Sequence, residues 1–379
     1  MAARTSAVAA DLFEELGVKP VINARSNQTL LGGAILSPEI LDVMERANRY
    51  FVNMSELQRK AGRIVADLLE CEAAHITPGC AAAMALGAAA CLAGGDAEKM
   101  ARLPDTSGMK NGIVIQARHR YRYDHAPTIV GAKLKVVGTN AGTSRKELEA
   151  ALDGDVAAIL FPAHSDGADG TVPLKQVIAI AHGRGVPVLL DAAGQIFPVE
   201  RMLGWTKMGA DLVCFGAKYF GAPHSAGVIC GRAELVDSAA RQSFIGFEAS
   251  PTPVFGRPLK LDRGEIFAVV AALKTWLNMD HGARIATATR RVRSIAERVE
   301  GLKGVETSMV PDHRFGTPGL RVRLGAGVGR TIAQLEAELE AGSPAIVATR
   351  EDDALVFNVN AMPEGDETVV AERLRAALA

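Results

Sequence analysis

Short apolar runs alternate with segments of helical periodicity through the middle of the chain, and this alternation constrains the fold most. The apolar runs are NGIVIQA, VAAILFP, VPVLLDAAG, DLVCFGA and AGVICG. Between two of them, PLKQVIAIAHGRG has the spacing of an amphipathic helix that ends at glycine. Strands that are apolar along their whole length are buried on both faces. The sequence therefore predicts a mostly parallel sheet with helices on both sides, an α/β fold.

The pattern changes after the strongly helical segment EIFAVVAALKTWLNM. The runs GVETSMV, GLRVRL, AIVATR and ALVFNVN read as short strands with helices between and after them, which indicates a smaller α+β domain. With 379 residues the chain is long enough for two domains. We predict an N-terminal segment (1–50) that packs on both domains, a large α/β domain (51–280) and a small α+β domain (281–379).

Composition excludes several classes of protein. A formal net charge of −1 gives no sign of a nucleic-acid partner. The five cysteines form no C-x-x-C pair, so we expect no disulfide framework and no metal site, and reduced thiols fit a cytoplasmic protein. The N-terminus lacks the apolar core of a signal peptide, and CAAAMALGAAACLAGG is short and broken by glycine. This run predicts a buried helix, not a membrane span.

In HITPGCAAAM, a strand-like piece gives way to a long alanine-rich helix. The first turn of a helix carries free backbone N–H groups and the positive end of the helix dipole. The small residues Gly79, Cys80 and Ala81 would let a phosphate approach these groups closely. Taken alone, the segment is more typical of an ordinary joint between a loop and a helix, and a phosphate site gains support only from the other features.

Two polar residues follow apolar strands. Asp191 ends the strand VPVLLD, at the edge that faces the ligand crevice in open α/β sheets, where it could keep a ring nitrogen protonated. The alternative is a helix cap or a solvated acid. Lys218 lies in GAKYFG, where burial among small residues would favour a neutral, nucleophilic amine suited to Schiff-base formation. The alternative is a lysine whose stem is buried and whose head reaches solvent.

The order of these features resembles the pyridoxal-phosphate layout of the aspartate-aminotransferase fold, fold type I. Five segments resemble its selenocysteine-synthase-like branch, which contains the bacterial L-seryl-tRNA selenium transferases and the D-glucosaminate-6-phosphate ammonia-lyase group. They are PVINARSNQTLLGGAILSPEIL, ELQRKAGRIVADLLECEAAHITPGCAAAM, LKQVIAIAHGRGVPVLLDAAGQ, DLVCFGAKYFGAPHSAG and FGRPLKLDRGEIFAVVAAL. The resemblance covers most of residues 18–280 and is closer to the ammonia-lyase group.

The resemblance implies pyridoxal phosphate as cofactor, bound covalently by Lys218, with Asp191 on the pyridine nitrogen. It makes Gly79, Cys80 and Ala81 the phosphate cradle. His119, in IVIQARHRYRYDH, would lie over the pyridine ring, unless it belongs to a solvated basic turn. Arg257 and Lys260 fall in a segment that approaches the active site, in the same or a partner subunit, with a solvated loop as the alternative. The fold usually works as a homodimer or an assembly of dimers.

The chain departs from the pattern of this branch in places that bear on the substrate. Arg25, Ser26, Asn27 and Gln28 follow INA, where relatives often have glycine and threonine. Arg25 and Asn27 could hydrogen-bond hydroxyl groups or hold an anion, or could lie in a plain loop. The chain starts almost directly on the core, without the extra N-terminal domain of relatives that act on tRNA, and Gly216 replaces a common serine.

The resemblance implies β-elimination from a small hydroxylated amino acid or amino-sugar acid, which yields a 2-keto acid and ammonia. Lys218 would remove the α-proton while the protonated ring acts as electron sink. Racemisation, aldol cleavage and transamination share the first steps and stay open. So do a scaffold without catalysis and, less favoured, a tRNA-dependent selenium transferase. One of three arginines on predicted strands would bind the substrate carboxylate, or each is a surface charge: Arg321, Arg323 and Arg350.

Overall fold

The computed structural model describes residues 12–325 and 327–378. The strands are β1 (Val21–Ala24), β2 (Ala73–Thr77), β3 (Gly112–Gln116), β4 (Lys133–Val137), β5 (Val156–Pro162), β6 (Val188–Asp191), β7 (Leu212–Gly216), β8 (Gly227–Gly231), β9 (Val305–Asp312), β10 (Thr317–Leu324), β11 (Ala345–Arg350) and β12 (Ala354–Phe357). The helices are α1 (Pro38–Ala47), α2 (Met54–Leu68), α3 (Cys80–Ala93), α4 (Ala97–Arg102), α5 (Arg145–Ala151), α6 (Leu174–His182), α7 (Val199–Met208), α8 (Ala233–Arg241), α9 (Phe244–Ala249), α10 (Arg263–Leu277), α11 (His281–Val299), α12 (Ile332–Ala341) and α13 (Asp366–Leu378).

Backbone contacts divide the chain into two units. One unit comprises residues 36–278, and the other joins residues 1–35 to residues 279–379. The sequence patterns predicted boundaries near residues 50 and 280. Residues 1–50 are shared between the units because β1 pairs in parallel with β11 of the second unit, whereas α1 belongs to the first. Local patterns do not reveal a strand pairing across more than 300 residues (345 − 21 = 324).

The large unit is built on a seven-stranded sheet in the order β2-β8-β7-β6-β5-β3-β4. Strands β3 to β7 are parallel, and β8 is antiparallel to both of its neighbours. All residues of β3, β5, β6, β7 and β8 are buried, which explains why these strands are apolar along their whole length. The predicted mostly parallel sheet is confirmed, with one antiparallel strand that the sequence patterns did not indicate.

Helix α3 packs directly on this sheet and is apolar all round. A methyl group at Gly87 would lie 2.8 Å from Leu189 Cδ1 and 3.1 Å from Ile229 Cδ1, so the glycine lets the helix lie close to the strands. This is the buried helix that the alanine-rich run predicted. Across the described residues, no helix combines the length and the apolar character needed to span a bilayer.

The second unit contains a five-stranded sheet in the order β1-β11-β12-β10-β9. Strand β1 is parallel to β11, and the other neighbours pair antiparallel. Its core joins residues of β10 and β12, such as Leu320 and Phe357, to Val292 and Ile295 of α11 and Leu374 of α13. The strands fall on the runs that predicted an α+β arrangement.

A buried histidine in β2 should make folding sensitive to acid. His75 is 5% exposed, and burial lowers the pKa of its imidazole from 6.5 to about 4. In the unfolded chain this imidazole is protonated below pH 6.5, whereas in the folded chain it is protonated only below about pH 4. The contribution of neutral His75 to the free energy of unfolding is therefore fully present above pH 6.5 and is lost as pH falls from 6.5 to about 4. The free energy of unfolding of the native chain should fall between about pH 7 and about pH 5. We expect this fall to be smaller in His75→Phe by roughly 2 kcal/mol.

Urea unfolding at the two pH values measures this difference. His313→Phe is the control, because it replaces an exposed histidine of the second unit. An equal loss of stability in His75→Phe and the native chain would show that His75 does not cause it.

Candidate active site

Five polar or glycine positions follow strands that run in the same direction and therefore meet at one edge of the large sheet. These positions lie just beyond β2, β3, β5, β6 and β7, or at their last residue, and are Gly79, His119, His164, Asp191 and Lys218. In open α/β sheets the crevice outside the carboxyl ends of the strands is where ligands bind. The topology therefore gathers the predicted cofactor-binding residues at a single edge.

The start of α3 is suited to an anion. Gly79 precedes the helix at φ +87°, a conformation that favours glycine, and the Thr77 hydroxyl donates to its carbonyl oxygen at 3.0 Å. Within the described part of the chain, no side chain caps this helix and no acidic residue lies in its first turn. The backbone N–H groups of the first turn, which includes Cys80 and the exposed Ala81, can thus bind a phosphate.

Gly227, the first residue of β8, brings the sheet against this helix start. A methyl group at Gly227 would lie 2.5 Å from the Gly79 carbonyl carbon and 2.8 Å from the Cys80 nitrogen. For a methyl group at Gly79 itself, the one atom within 4 Å among the described residues, its chain neighbours aside, would be the Ser225 carbonyl oxygen, at 3.4 Å. The space in front of Gly79 is therefore open, while the backbone behind it is packed to contact. This cradle fits a phosphate group.

We expect Gly227→Ala to displace the start of α3. The substitution should destabilise the protein by about 1–3 kcal/mol, as overpacking does in other cores, and weaken cofactor binding at least about tenfold. Gly204→Ala is the matched control, because Gly204 lies in α7 with nothing within 4 Å of an added methyl group and should be neutral or stabilising. Unfolding curves and cofactor titration measure both effects; unchanged cofactor affinity in Gly227→Ala would contradict the cradle.

Asp191 ends β6 with its carboxylate buried and hydrogen-bonded. One oxygen, Oδ1, accepts from the Ala193 N–H at 3.0 Å and lies 3.5 Å from Cys80 Sγ, while Oδ2 accepts from the Tyr121 hydroxyl. Burial, and then the charge of Asp191, raise the pKa of Tyr121 well above its ordinary value. The same two causes raise the pKa of the Cys80 thiol. Asp191 and the start of α3, 111 residues apart in sequence, thus belong to one site.

Lys218 follows β7 in a short turn, Ala217–Phe220, and is 9% exposed. Its Nζ lies 5.2 Å from the centre of the Tyr219 ring. Burial lowers the pKa of His224, the positive charge of Lys218 lowers it further, and the same charge opposes the rise in the pKa of Cys80. The charge of Lys218 therefore acts on Cys80, whose thiol contacts Asp191.

The glycine at position 216 makes room for a neighbouring ring. A methyl group at Gly216 would lie 3.1 Å from two atoms of the Tyr219 ring and 3.3 Å from the Ala193 carbonyl oxygen. The small residue lets Tyr219 pack against the strand end beside Lys218.

His119 ends a short turn after β3 and is 1% exposed. Its ring meets Phe161 edge-on, with 4.7 Å between ring centres, and its Nδ1 lies 3.5 Å from Gln116 Nε2. Burial, and then His164, lower the pKa of His119 to about 4, so the imidazole is neutral near pH 7. Its buried Nε2 has no hydrogen-bond partner among the described residues. Stacking of His119 on the cofactor stays a prediction.

Sequence reasoning did not single out Tyr121, His164 or His224. His164 follows β5, so the search for polar residues at strand ends that identified Asp191 would also have found it. The centre of its ring lies 5.5 Å from the centre of the Tyr121 ring. His224 lies six residues after Lys218 (224 − 218), and its Nδ1 is buried without a hydrogen-bond partner in the described structure. Tyr121 carries no such signal, since only the folded chain brings it to Asp191.

The predicted substrate-binding residues fall into two groups. Arg257 and Lys260, in the large unit, line a cavity of about 370 Å³ with Asn53 and Ser55, and Arg257 is paired with Glu248 at 2.6 Å.

The other group lies in the second unit. The Arg25 N–H donates to Asn23 Oδ1 at 2.8 Å, and Asn27 is buried. Arg321 is bound by Glu351 at 2.8 Å, and Arg323 and Arg350 also pair with carboxylates, at 2.9 and 3.1 Å.

The described residues contain no cluster of three His, Cys, Asp or Glu side chains that could hold a metal ion.

Comparisons with known proteins agree with this geometry. The family model for aminotransferase class-V matches residues 124–256. A 5'-C-glycyluridine monooxygenase-decarboxylase from Streptomyces sp is 33% identical over 94% of this chain and 90% of its own length. A D-glucosaminate-6-phosphate ammonia lyase from Salmonella typhimurium is 28% identical over 96% of this chain and 97% of its own. An L-seryl-tRNA(Sec) selenium transferase from Moorella thermoacetica is 25% identical over 95% of this chain and 82% of its own.

Among solved structures, a D-glucosaminate-6-phosphate ammonia-lyase superposes with a TM-score of 0.84 at 26% identity, over 97% of this chain and 98% of that one. Similarity of this extent, together with the family model, confirms the predicted aspartate-aminotransferase-like fold.

Proposed function

Because the chain belongs to the selenocysteine-synthase-like branch of fold-type I pyridoxal-phosphate enzymes, its cofactor is pyridoxal phosphate, and we propose that it is an ammonia-lyase. The substrate is a small α-amino acid with a β-hydroxyl group, or an amino-sugar acid, and the products are a 2-keto acid and ammonia. The observation that carries this proposal is the similarity to the ammonia-lyase along the whole length of both chains.

The residues at the sheet edge fit the cofactor. The open cradle at Gly79 and the uncapped first turn, with Cys80 and Ala81, would hold the phosphate. Asp191, with its buried carboxylate, would bind the ring nitrogen, and the buried His119, which follows β3 at the same edge of the sheet, would lie over the ring. When bound, pyridoxal phosphate supplies an electron-withdrawing ring that stabilises negative charge at the substrate α-carbon.

Lys218 is the group that moves the proton. Its amine would accept the α-proton of the substrate at Nζ. The β-hydroxyl leaves with a proton as water, and the resulting enamine takes up one water molecule to give the 2-keto acid and ammonia. His224 lies within electrostatic reach of this amine, because the charge of Lys218 adds to burial in lowering the pKa of its imidazole.

The proposed substrate contacts extend beyond the cofactor. Arg25 and Asn27 would bind hydroxyl or phosphate groups of the substrate. Arg321 would bind the substrate carboxylate only after its ion pair with Glu351 breaks, and Arg323 and Arg350 would likewise first have to leave their carboxylate partners. We further propose a cytoplasmic homodimer in which Arg257 and Lys260 serve the partner's site, without a nucleic-acid partner. A monomeric mass in solution at full activity would exclude this assembly.

A screen of D- and L-hydroxy amino acids and amino-sugar acids tests the reaction. The proposal predicts ammonia and keto acid in equal amounts, with no requirement for oxygen or an amino acceptor. Exchange of the α-proton without ammonia would identify a racemase, cleavage of the Cα–Cβ bond an aldolase, and a keto acid that forms only with an added acceptor a transaminase. Any of these results would replace elimination.

A second candidate follows from the Streptomyces relative, the more similar of the two in sequence. It is oxygen-dependent decarboxylation of an amino acid, in which the carboxylate leaves as carbon dioxide and O₂ is the oxidant. Two results would favour this reaction over elimination. One is release of carbon dioxide together with uptake of oxygen, and the other is the absence of ammonia when the assay is run in a nitrogen atmosphere.

A further inference from the structure

We propose that Tyr121 is a positioning residue that controls how much negative charge Asp191 offers to the ring nitrogen of the cofactor. The proposal rests on the role of Asp191 in the proposed function. No motif in the sequence marks Tyr121, and the contact is a property of the fold.

The position of the Tyr121 side chain is fixed by contacts around it. Its hydroxyl donates to Asp191 Oδ2 and lies 3.6 Å from Met84 Sδ. Its ring meets His164 edge-on, with 5.5 Å between centres, and Tyr123 with 6.0 Å. A hydroxyl has one proton to donate, and a charged acceptor binds it more strongly than a thioether, so the hydrogen bond goes to Asp191.

The consequence for Asp191 is electrostatic. Its Oδ1 already faces the Ala193 N–H and the Cys80 thiol, so the Tyr121 hydroxyl is a donor to the other oxygen. Since Asp191 is 5% exposed, hydrogen bonds to its carboxylate are not exchanged for water and draw negative charge toward their donors. Oδ2 has a second lone pair, so a ring nitrogen can bind beside the hydroxyl, to an oxygen that already accepts one hydrogen bond.

The Tyr121 hydroxyl is a donor near neutral pH. Burial and the neighbouring carboxylate raise its pKa above the ordinary value, so it keeps its proton there. Its removal should therefore strengthen the hold of Asp191 on the proton of the ring nitrogen. Tyr123 offers a matched comparison, because it is 52% exposed, carries Arg122 over its ring at 5.5 Å and is not hydrogen-bonded to Asp191.

The experiment is an NMR titration of the holoenzyme loaded with pyridoxal phosphate labelled with ¹⁵N in the ring. The native protein, Tyr121→Phe and Tyr123→Phe are compared by the pH at which the ring nitrogen loses its proton. We expect Tyr121→Phe to raise this pH by about one unit, the size of one hydrogen bond to a charged group, and Tyr123→Phe to leave it unchanged. An unchanged midpoint in Tyr121→Phe, or an equal shift in both variants, would overturn the proposal.

A second comparison separates this proposal from the assignment of Asp191. In an Asp191→Asn background, the Tyr121→Phe shift should vanish, because the two residues act through one carboxylate. A shift that persists there would show that Tyr121 acts elsewhere. If Asp191→Asn alone leaves the midpoint unchanged, Asp191 is not the partner of the ring nitrogen, and both the assignment and the proposal fail. If Asp191→Asn moves it and Tyr121→Phe does not, only the role of Tyr121 fails.

Discussion

Lys218→Ala is expected to abolish turnover and covalent attachment of pyridoxal phosphate together. The amine is 9% exposed at the end of β7, near the start of α3, and the proposed reaction uses it both to bond the cofactor and to accept the α-proton. Loss of a group with both tasks should lower kcat by at least about 10³-fold. Ammonia release measures turnover, and borohydride reduction followed by peptide mapping measures attachment.

The matched control is Lys207→Ala, which removes an exposed lysine of α7 paired with Glu70. This variant should keep the reduced cofactor on Lys218 and the native rate. A label on another lysine, or turnover in Lys218→Ala within tenfold of the native rate, would remove Lys218 from the mechanism. Because racemisation, aldol cleavage and transamination need the same amine, this variant tests the site and not the choice of reaction.

Asp191→Asn is expected to lower kcat by about 10²–10³-fold while the cofactor stays attached to Lys218. The amide has nearly the shape of the carboxylate, so the site should stay assembled. Without the negative charge, however, a protonated ring nitrogen loses its buried ionic partner and the electron sink weakens. The rate per bound cofactor, measured after borohydride quantification, separates this loss from loss of binding.

Asp211→Asn is the control for folding. Asp211 is 2% exposed and binds Arg232, His182 and the Val188 N–H, all within the large unit. Its replacement should destabilise the protein and leave kcat per folded, loaded enzyme near the native value. If Asp191→Asn keeps full kcat per bound cofactor, its carboxylate does not support the ring.

Burial on both faces explains what could be predicted from the sequence. The run VAAILFP matches β5 at both ends, because an apolar run bounded by turn residues leaves few alternatives. Asp191 and Lys218 could be identified because each is a polar residue that follows such a strand. The same rule, applied to His164, would have extended the site.

The direction of a strand and the contacts between residues far apart in the sequence could not be predicted. An apolar strand has the same pattern whichever way it runs, so AGVICG did not show that β8 is antiparallel. The pairing of β1 with β11 and the bond from Tyr121 to Asp191, 70 residues apart, depend on the packed structure. The protonation states of His75, His119 and His224 could not be predicted either. Burial lowers the pKa of each imidazole, and a single sequence does not reveal that burial.

The reversed strand β8 fixes the length of the segment that carries Lys218. Residues 217–226 run directly from β7 into β8, and the pairing of Gly216 with Gly227 joins the two ends in register. An insertion or deletion here would either be absorbed within residues 217–226, where it would displace Lys218, or would move Gly227 away from the phosphate cradle. The connections at the opposite edge of the sheet, such as the one that leads from β8 into α8, carry none of these residues. Among descendants of this chain, changes in length should therefore accumulate there and be absent between Gly216 and Gly227.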